Sequence, residues 1–203
     1  MNIAAKYLLT TEVSFKKEDR PQLIQIWRKT LPENANIYLS KNDNSLLELR
    51  TVEDLIQLKK LLNEDFSQLK ANTKILLQSD FRQNLLSFVE DVIPQITKLP
   101  MGDYLQMRYI EVPLCVYDDY KHWRNETIFK HVRNLKNIDS FVAYHSLLSA
   151  KPGVMFISSF SGDPEKYLSG FNNPAYQEIV RQAGDRFITG GNNGLYTTMY
   201  QKL

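Results

Sequence analysis

Residues 141–148 (FVAYHSLL) and 154–160 (VMFISSF) are apolar on both alternations of a pleated strand. A strand presents only two faces, so runs of this kind need cover on both sides of their sheet. Helices from the same chain can cover one face. The other face needs a second sheet.

The order of elements shows where that sheet comes from. Residues 7–15 read as a strand, and Glu18-Asp19-Arg20-Pro21 starts a helix carrying Leu23, Ile26, Trp27 and Leu31. Strands at 37–39 and 46–49 flank the polar turn 41–45. Thr51 with Asp54 resembles a capping box opening a helix with Leu55, Leu58 and Leu62, and 73–78 reads as a further strand. Phe81, Leu85, Phe88, Val89 and Val92 then fall at helical spacing and predict a helix ending near Pro94.

The second half repeats the plan. A strand at 105–112 leads to a helix capped by Asp118 or Asp119 that bears Tyr120, Trp123, Thr127 and Leu135. The strands 141–148 and 154–160 pair across Lys151-Pro152-Gly153. Asp163-Pro164 and Asn173-Pro174 each announce a helix, and the last strand is 195–200. The expected fold class is therefore α+β, with two tandem ferredoxin-like β-α-β-β-α-β repeats packed sheet to sheet. The first repeat spans 1–80, a connecting helix and linker 81–103, and the second repeat 104–203.

Composition narrows the function classes. The 203 residues carry 25 basic and 23 acidic side chains, a net charge of +2, which speaks against nucleic-acid binding. No apolar stretch approaches the ~18 residues of a membrane span, and the N-terminus lacks the pattern of a signal peptide. The single cysteine, Cys115, cannot form an internal disulfide and reads as a buried structural thiol in a cytoplasmic protein.

Residues 154–183 resemble the dimeric α/β-barrel superfamily, in particular its antibiotic-biosynthesis-monooxygenase-like domains. The likeness rests on the strand Val154-Met155-Phe156-Ile157-Ser158-Ser159-Phe160 and the helix start Ser161-Gly162-Asp163-Pro164-Glu165. It continues in Asn172-Asn173-Pro174-Ala175-Tyr176-Gln177-Glu178. The resemblance implies paired repeats with a sheet-lined cavity, which the superfamily uses for cofactor-free oxygenation, haem degradation, isomerase-like chemistry or ligand binding without known activity. The haem-degrading members share a Trp and a following His that the stretches 167–171 and 178–182 lack, so no cofactor is expected.

His145, Tyr109 and Glu111 are the candidate catalytic residues, because a His–Glu or His–Tyr pair could take a proton from a phenolic or enolic substrate. Tyr144, Trp123, Arg108 and Tyr196 are candidate pocket residues. His122 and His131, nine apart on one helix, point to opposite sides of it, so no metal site is expected. The glycine-rich stretch 189–194 follows a helix and precedes a strand, the order of a C-cap and turn rather than of a phosphate loop. Two readings stay open. One is a cofactor-independent monooxygenase acting on an aromatic or polyketide-like compound, and the other a non-catalytic binding or stress-response protein. In either case the partner is a small hydrophobic or aromatic ligand, and the chain is a monomer with internally paired repeats or a homodimer.

Overall fold

The computed structural model describes residues 3–149 and 153–203. Eight antiparallel strands close into one barrel in the order β1-β3-β2-β8-β5-β7-β6-β4. They are β1 (Tyr7–Ser14), β2 (Ala35–Ser40), β3 (Ser45–Val52), β4 (Arg82–Ile93), β5 (Tyr104–Ile110), β6 (Ser140–Leu148), β7 (Val154–Phe160) and β8 (Tyr196–Lys202). Each half contributes the same spatial order, β4-β1-β3-β2 in the first and β8-β5-β7-β6 in the second. The repeats therefore pair within one chain. The seams between them are β4–β6 and the shorter β2–β8, where Tyr38, Leu39 and Ser40 face Lys202, Gln201 and Tyr200.

Alternation divides the strand side chains into two sets. Leu8, Leu47, Leu49, Leu86, Leu105, Met107, Val142, Tyr144, Met155 and Ile157 fill the barrel interior. The opposite faces pack against helices. In the first half these are α1 (Arg20–Thr30), α2 (Leu55–Lys60) and α3 (Phe66–Thr73), with a π turn at Leu61–Asp65 between the last two. In the second half they are α4 (Tyr117–Arg124), a π turn Asn125–Phe129, α5 (Lys130–Arg133), α6 (Pro164–Ser169) and α7 (Pro174–Arg186). The dual demand of 141–148 and 154–160 is met by the interior on one side and the helices on the other. Among the described residues no helix is long and apolar enough to cross a membrane.

The helix expected over 81–92 is strand β4, the longest in the barrel at 12 residues. Register shifts between Leu85 and Leu86, Phe88 and Glu90, and Asp91 and Ile93 break its alternation. Leu85 and Val89, four apart, share the helix side by ordinary alternation, and the extra residues that the last two shifts put into β4 bring Val92 to that side as well. Their spacing of four and three imitates a helical stripe. The strand expected at 73–78 is the end of α3 and a turn, with Leu76 buried and Ile75 exposed. Only an isolated bridge from Leu77 to Phe15 remains of it.

Local signals fare better at the caps. Asp163 accepts from Glu165 N at 2.9 Å and Asn173 from Tyr176 N at 3.0 Å, each ahead of a proline. Asp54, not Thr51, caps α2 by accepting from Gln57 N at 2.8 Å, because Thr51 is still within β3. Neither Asp118 nor Asp119 caps α4, which is entered through a 3-10 turn at Leu114–Val116. Cys115 lies in that turn and is exposed rather than buried. Of the turn expected at 151–153, Lys151 and Pro152 lie outside the described residues.

Candidate active site

Strand register places the residues singled out from the sequence. Tyr109 faces Met155, which faces Tyr144, so these three share one row inside the barrel. Ile110, Val154 and His145 form the next row, on the opposite side. The sheet thus separates His145 from Tyr109, because the pairing sets His145 level with Ile110. His145 meets Tyr117 edge-on at 5.7 Å and donates from Nδ1 to Ser146 O at 3.0 Å. Glu111 lies past the end of β5 and is exposed, and its carbonyl accepts from Thr189 N. The candidate catalytic trio is not brought together.

The candidate pocket residues are scattered as well. Tyr196 stacks on Tyr109 at 4.7 Å but is 52% exposed. Tyr144 sits in the barrel interior against Phe88. Trp123 packs on Phe187 at 5.2 Å within the helical layer. Arg108 borders an apolar cavity.

That cavity lies between the outer faces of β5, β6 and β7 and the helices of the second half. Its walls are Ile110, Ile128, Phe141, Phe156, Ile179, Val180, Ala183, Ile188 and Leu195, with Arg108 and Tyr176 as the two polar contributors. The volume is about 30 Å³, the share of a single water molecule in the liquid. Ile179, Val180 and Leu195 are half-exposed, so the wall formed by α7 and the residue just before β8 is the one next to solvent. Behind it, Gly190 and Gly191 adopt positive φ, the backbone freedom that lets Ile188 and Leu195 turn onto the same wall.

The polar corner is well held. Arg108 Nη1 donates to the Tyr176 hydroxyl at 2.8 Å, and the guanidinium lies over the Phe171 ring at 4.1 Å. His131 sits 4.9 Å from the Tyr176 ring and donates from Nε2 to Gly170 O at 2.8 Å. Asn173 fixes this turn from both ends, capping α7 and donating to the same Gly170 carbonyl at 2.7 Å. Nearby, the Tyr167 hydroxyl donates to Gln106 Oε1 at 2.7 Å and lies 2.9 Å from Ser158 Oγ. Burial pushes that hydroxyl up to about 12, so it stays protonated at neutral pH. Burial likewise raises Tyr120, although the Arg124 charge opposes the shift.

Tyr176, Phe171, Ile128, Phe141 and Phe156 were not singled out as site residues from the sequence. Tyr176 stands in the Asn-Pro-Ala-Tyr helix start that carries the family resemblance. No histidine or cysteine lines the cavity among the described residues. That lining therefore offers no imidazole or thiolate as an axial ligand to a haem iron.

Comparison of the whole chain with solved structures settles the architecture. An anthrone oxidase-like protein matches with a TM-score of 0.71 at 13% identity, covering 100% of this chain and 94% of that one. A ferredoxin-fold protein from Listeria monocytogenes, related to antibiotic biosynthesis monooxygenases, matches with a TM-score of 0.54 at 10% identity over 98% and 95%. The chain shares the ferredoxin-type α+β fold of these proteins. A haem-degrading enzyme of the same fold, also from Listeria monocytogenes, matches with a TM-score of 0.55 at 10% identity over 97% and 99%. Identities this low establish the barrel and leave the chemistry to be argued from the cavity. No family model and no curated protein sequence matches the chain.

Proposed function

We propose that the protein binds a small hydrophobic, aromatic molecule between the sheet and the helices of its second half. The observation that supports this most is the cavity itself. It is apolar and aromatic on nearly every side, with one convergent polar pair, Arg108 and Tyr176, the composition of a small-molecule site. Its volume means that a ligand enters as the half-exposed wall of Ile179, Val180 and Leu195 gives way.

The finer reading is cofactor-independent oxygenation. Proteins of this fold are described as related to monooxygenases and as anthrone oxidase-like. Such a reaction draws its electrons from the substrate. A ring CH2 becomes C=O, one oxygen atom of O2 enters the product, and the other leaves as water with the two hydrogens. The competing reading is a non-catalytic binder, favoured by the absence of a histidine or carboxylate among the described residues lining the cavity.

Anthrone in air tests both. Oxygenation predicts uptake of one O2 per anthrone with anthraquinone as product, at a rate proportional to protein and above the spontaneous one. Saturable binding of anthrone at the spontaneous rate would establish the binder instead. Neither binding nor turnover, for anthrone and for a panel of comparable aromatic compounds, would refute the small-molecule reading.

A further inference from the structure

Four charged side chains are buried among the described residues: Glu48, Arg50, Arg108 and Arg124. They divide unevenly between the two halves. In the first half Arg50 is neutralised twice over, by Glu48 at 2.6 Å and Asp65 at 2.9 Å, and Glu48 also accepts from Trp27 Nε1. That cluster is complete within the chain.

The second half holds two buried guanidinium groups, and the carboxylate that pairs with one of them, Glu90, comes from β4 of the first half. Arg124, 0% exposed, pairs with Glu90, which is 36% exposed, while its Nε and Nη1 find no hydrogen-bond acceptor among the described residues. The Tyr120 hydroxyl is buried beside it, and the Arg124 guanidinium opposes the rise that burial causes there. Arg108, 8% exposed, makes no ion pair among the described residues. Its contacts are a neutral hydroxyl and two aromatic faces. A buried cation without a counter-charge is costly unless something else supplies the charge.

Arg108 borders the cavity, whereas Arg124 stands one residue behind its wall. The Arg124 guanidinium lies over Phe129, whose ring meets Phe141 and Phe156. The positive imbalance is therefore centred where a ligand would sit. We infer that the ligand of this cavity is an anion, an aromatic acid or ionised phenol, whose charged oxygen rests on Arg108. The inference builds on the reading that this cavity is the binding site. It adds that the missing counter-ion of the buried arginine belongs to the ligand. The guanidinium donors and the Tyr176 hydroxyl offer the planar set that a carboxylate or phenolate oxygen accepts from.

The test is titration calorimetry with 1-naphthoate and 1-naphthamide, which share one ring system and differ in charge. Wild-type protein is expected to bind the naphthoate at least about tenfold more tightly, the effect of a charge-assisted hydrogen bond in a buried site. Arg108→Met should abolish that gap by weakening naphthoate binding far more than naphthamide binding, since the amide loses a neutral hydrogen bond and the carboxylate a charge-assisted one. Arg108→Lys should keep part of it, and this comparison stands even if the Met variant does not fold. Equal wild-type affinities, or a gap that survives Arg108→Met, would overturn the anion assignment while leaving the cavity as a neutral site. Binding of neither compound would remove the cavity reading and the inference together.

Discussion

Replacing Glu48 with alanine is expected to lower the unfolding free energy by about 3–5 kcal/mol, because it strands a buried arginine. Glu48 is 1% exposed and serves two donors, Arg50 Nε at 2.6 Å and Trp27 Nε1 at 2.6 Å. Arg50 is itself 2% exposed, and its remaining partner, Asp65, is half in solvent. Truncation therefore removes one charge and one indole acceptor together, in the layer that joins α1 and α3 to the barrel. Urea unfolding followed by circular dichroism reads the loss directly. Glu48→Gln should cost less, since the amide oxygen can still accept from Trp27. The contrast with Arg108→Met is informative. There the substitution removes an uncompensated cation and keeps the volume, so stability without ligand should change little or rise. A loss of several kcal/mol at Arg108 would mean that its charge serves folding.

Phe141→Ala is expected to destabilise the protein by about 3–5 kcal/mol, as for other buried aromatics truncated to alanine. Phe141 is 1% exposed and packs on Phe156 at 5.4 Å and on Phe129 at 6.2 Å. It also lines the cavity, so the space it vacates adds to the ligand site. The same variant should therefore bind 1-naphthamide more tightly than wild type and recover part of its lost melting temperature when the compound is added. Thermal unfolding with and without ligand checks both halves of the expectation. A destabilised variant with unchanged affinity would place the naphthalene ring elsewhere.

The sequence carried much of the architecture, since the doubly apolar strands at 141–148 and 154–160 force a two-sided layer and the cap–proline pairs fix α6 and α7. It concealed β4. A bulged strand that turns Leu85, Val89 and Val92 to one side produces the same spacing as a helix, and pattern alone cannot separate the two. The apolar run 75–77 reads as the fourth strand of the first repeat, and with it in place 81–92 falls outside the repeat as a helix. The site was less legible for a related reason. Whether His145 joins Tyr109 depends on a one-residue offset in pairing, which no single strand displays. Arg108 and Tyr176 come from elements 68 residues apart in the chain. Their meeting is a product of how α7 lies on the sheet.

The central claim is that a ligand sits between the sheet and the helices of the second half and not inside the barrel. Isoleucine δ1-methyl NMR during titration with 1-naphthoate tests it directly. Ile110, Ile128, Ile179 and Ile188 line the cavity, Ile157 faces the barrel interior, and Ile37 packs in the helical layer of the first half. The account predicts ring-current shifts at the four cavity methyls, with Ile157 and Ile37 unmoved. Shifts at Ile157 with those four unchanged would contradict it.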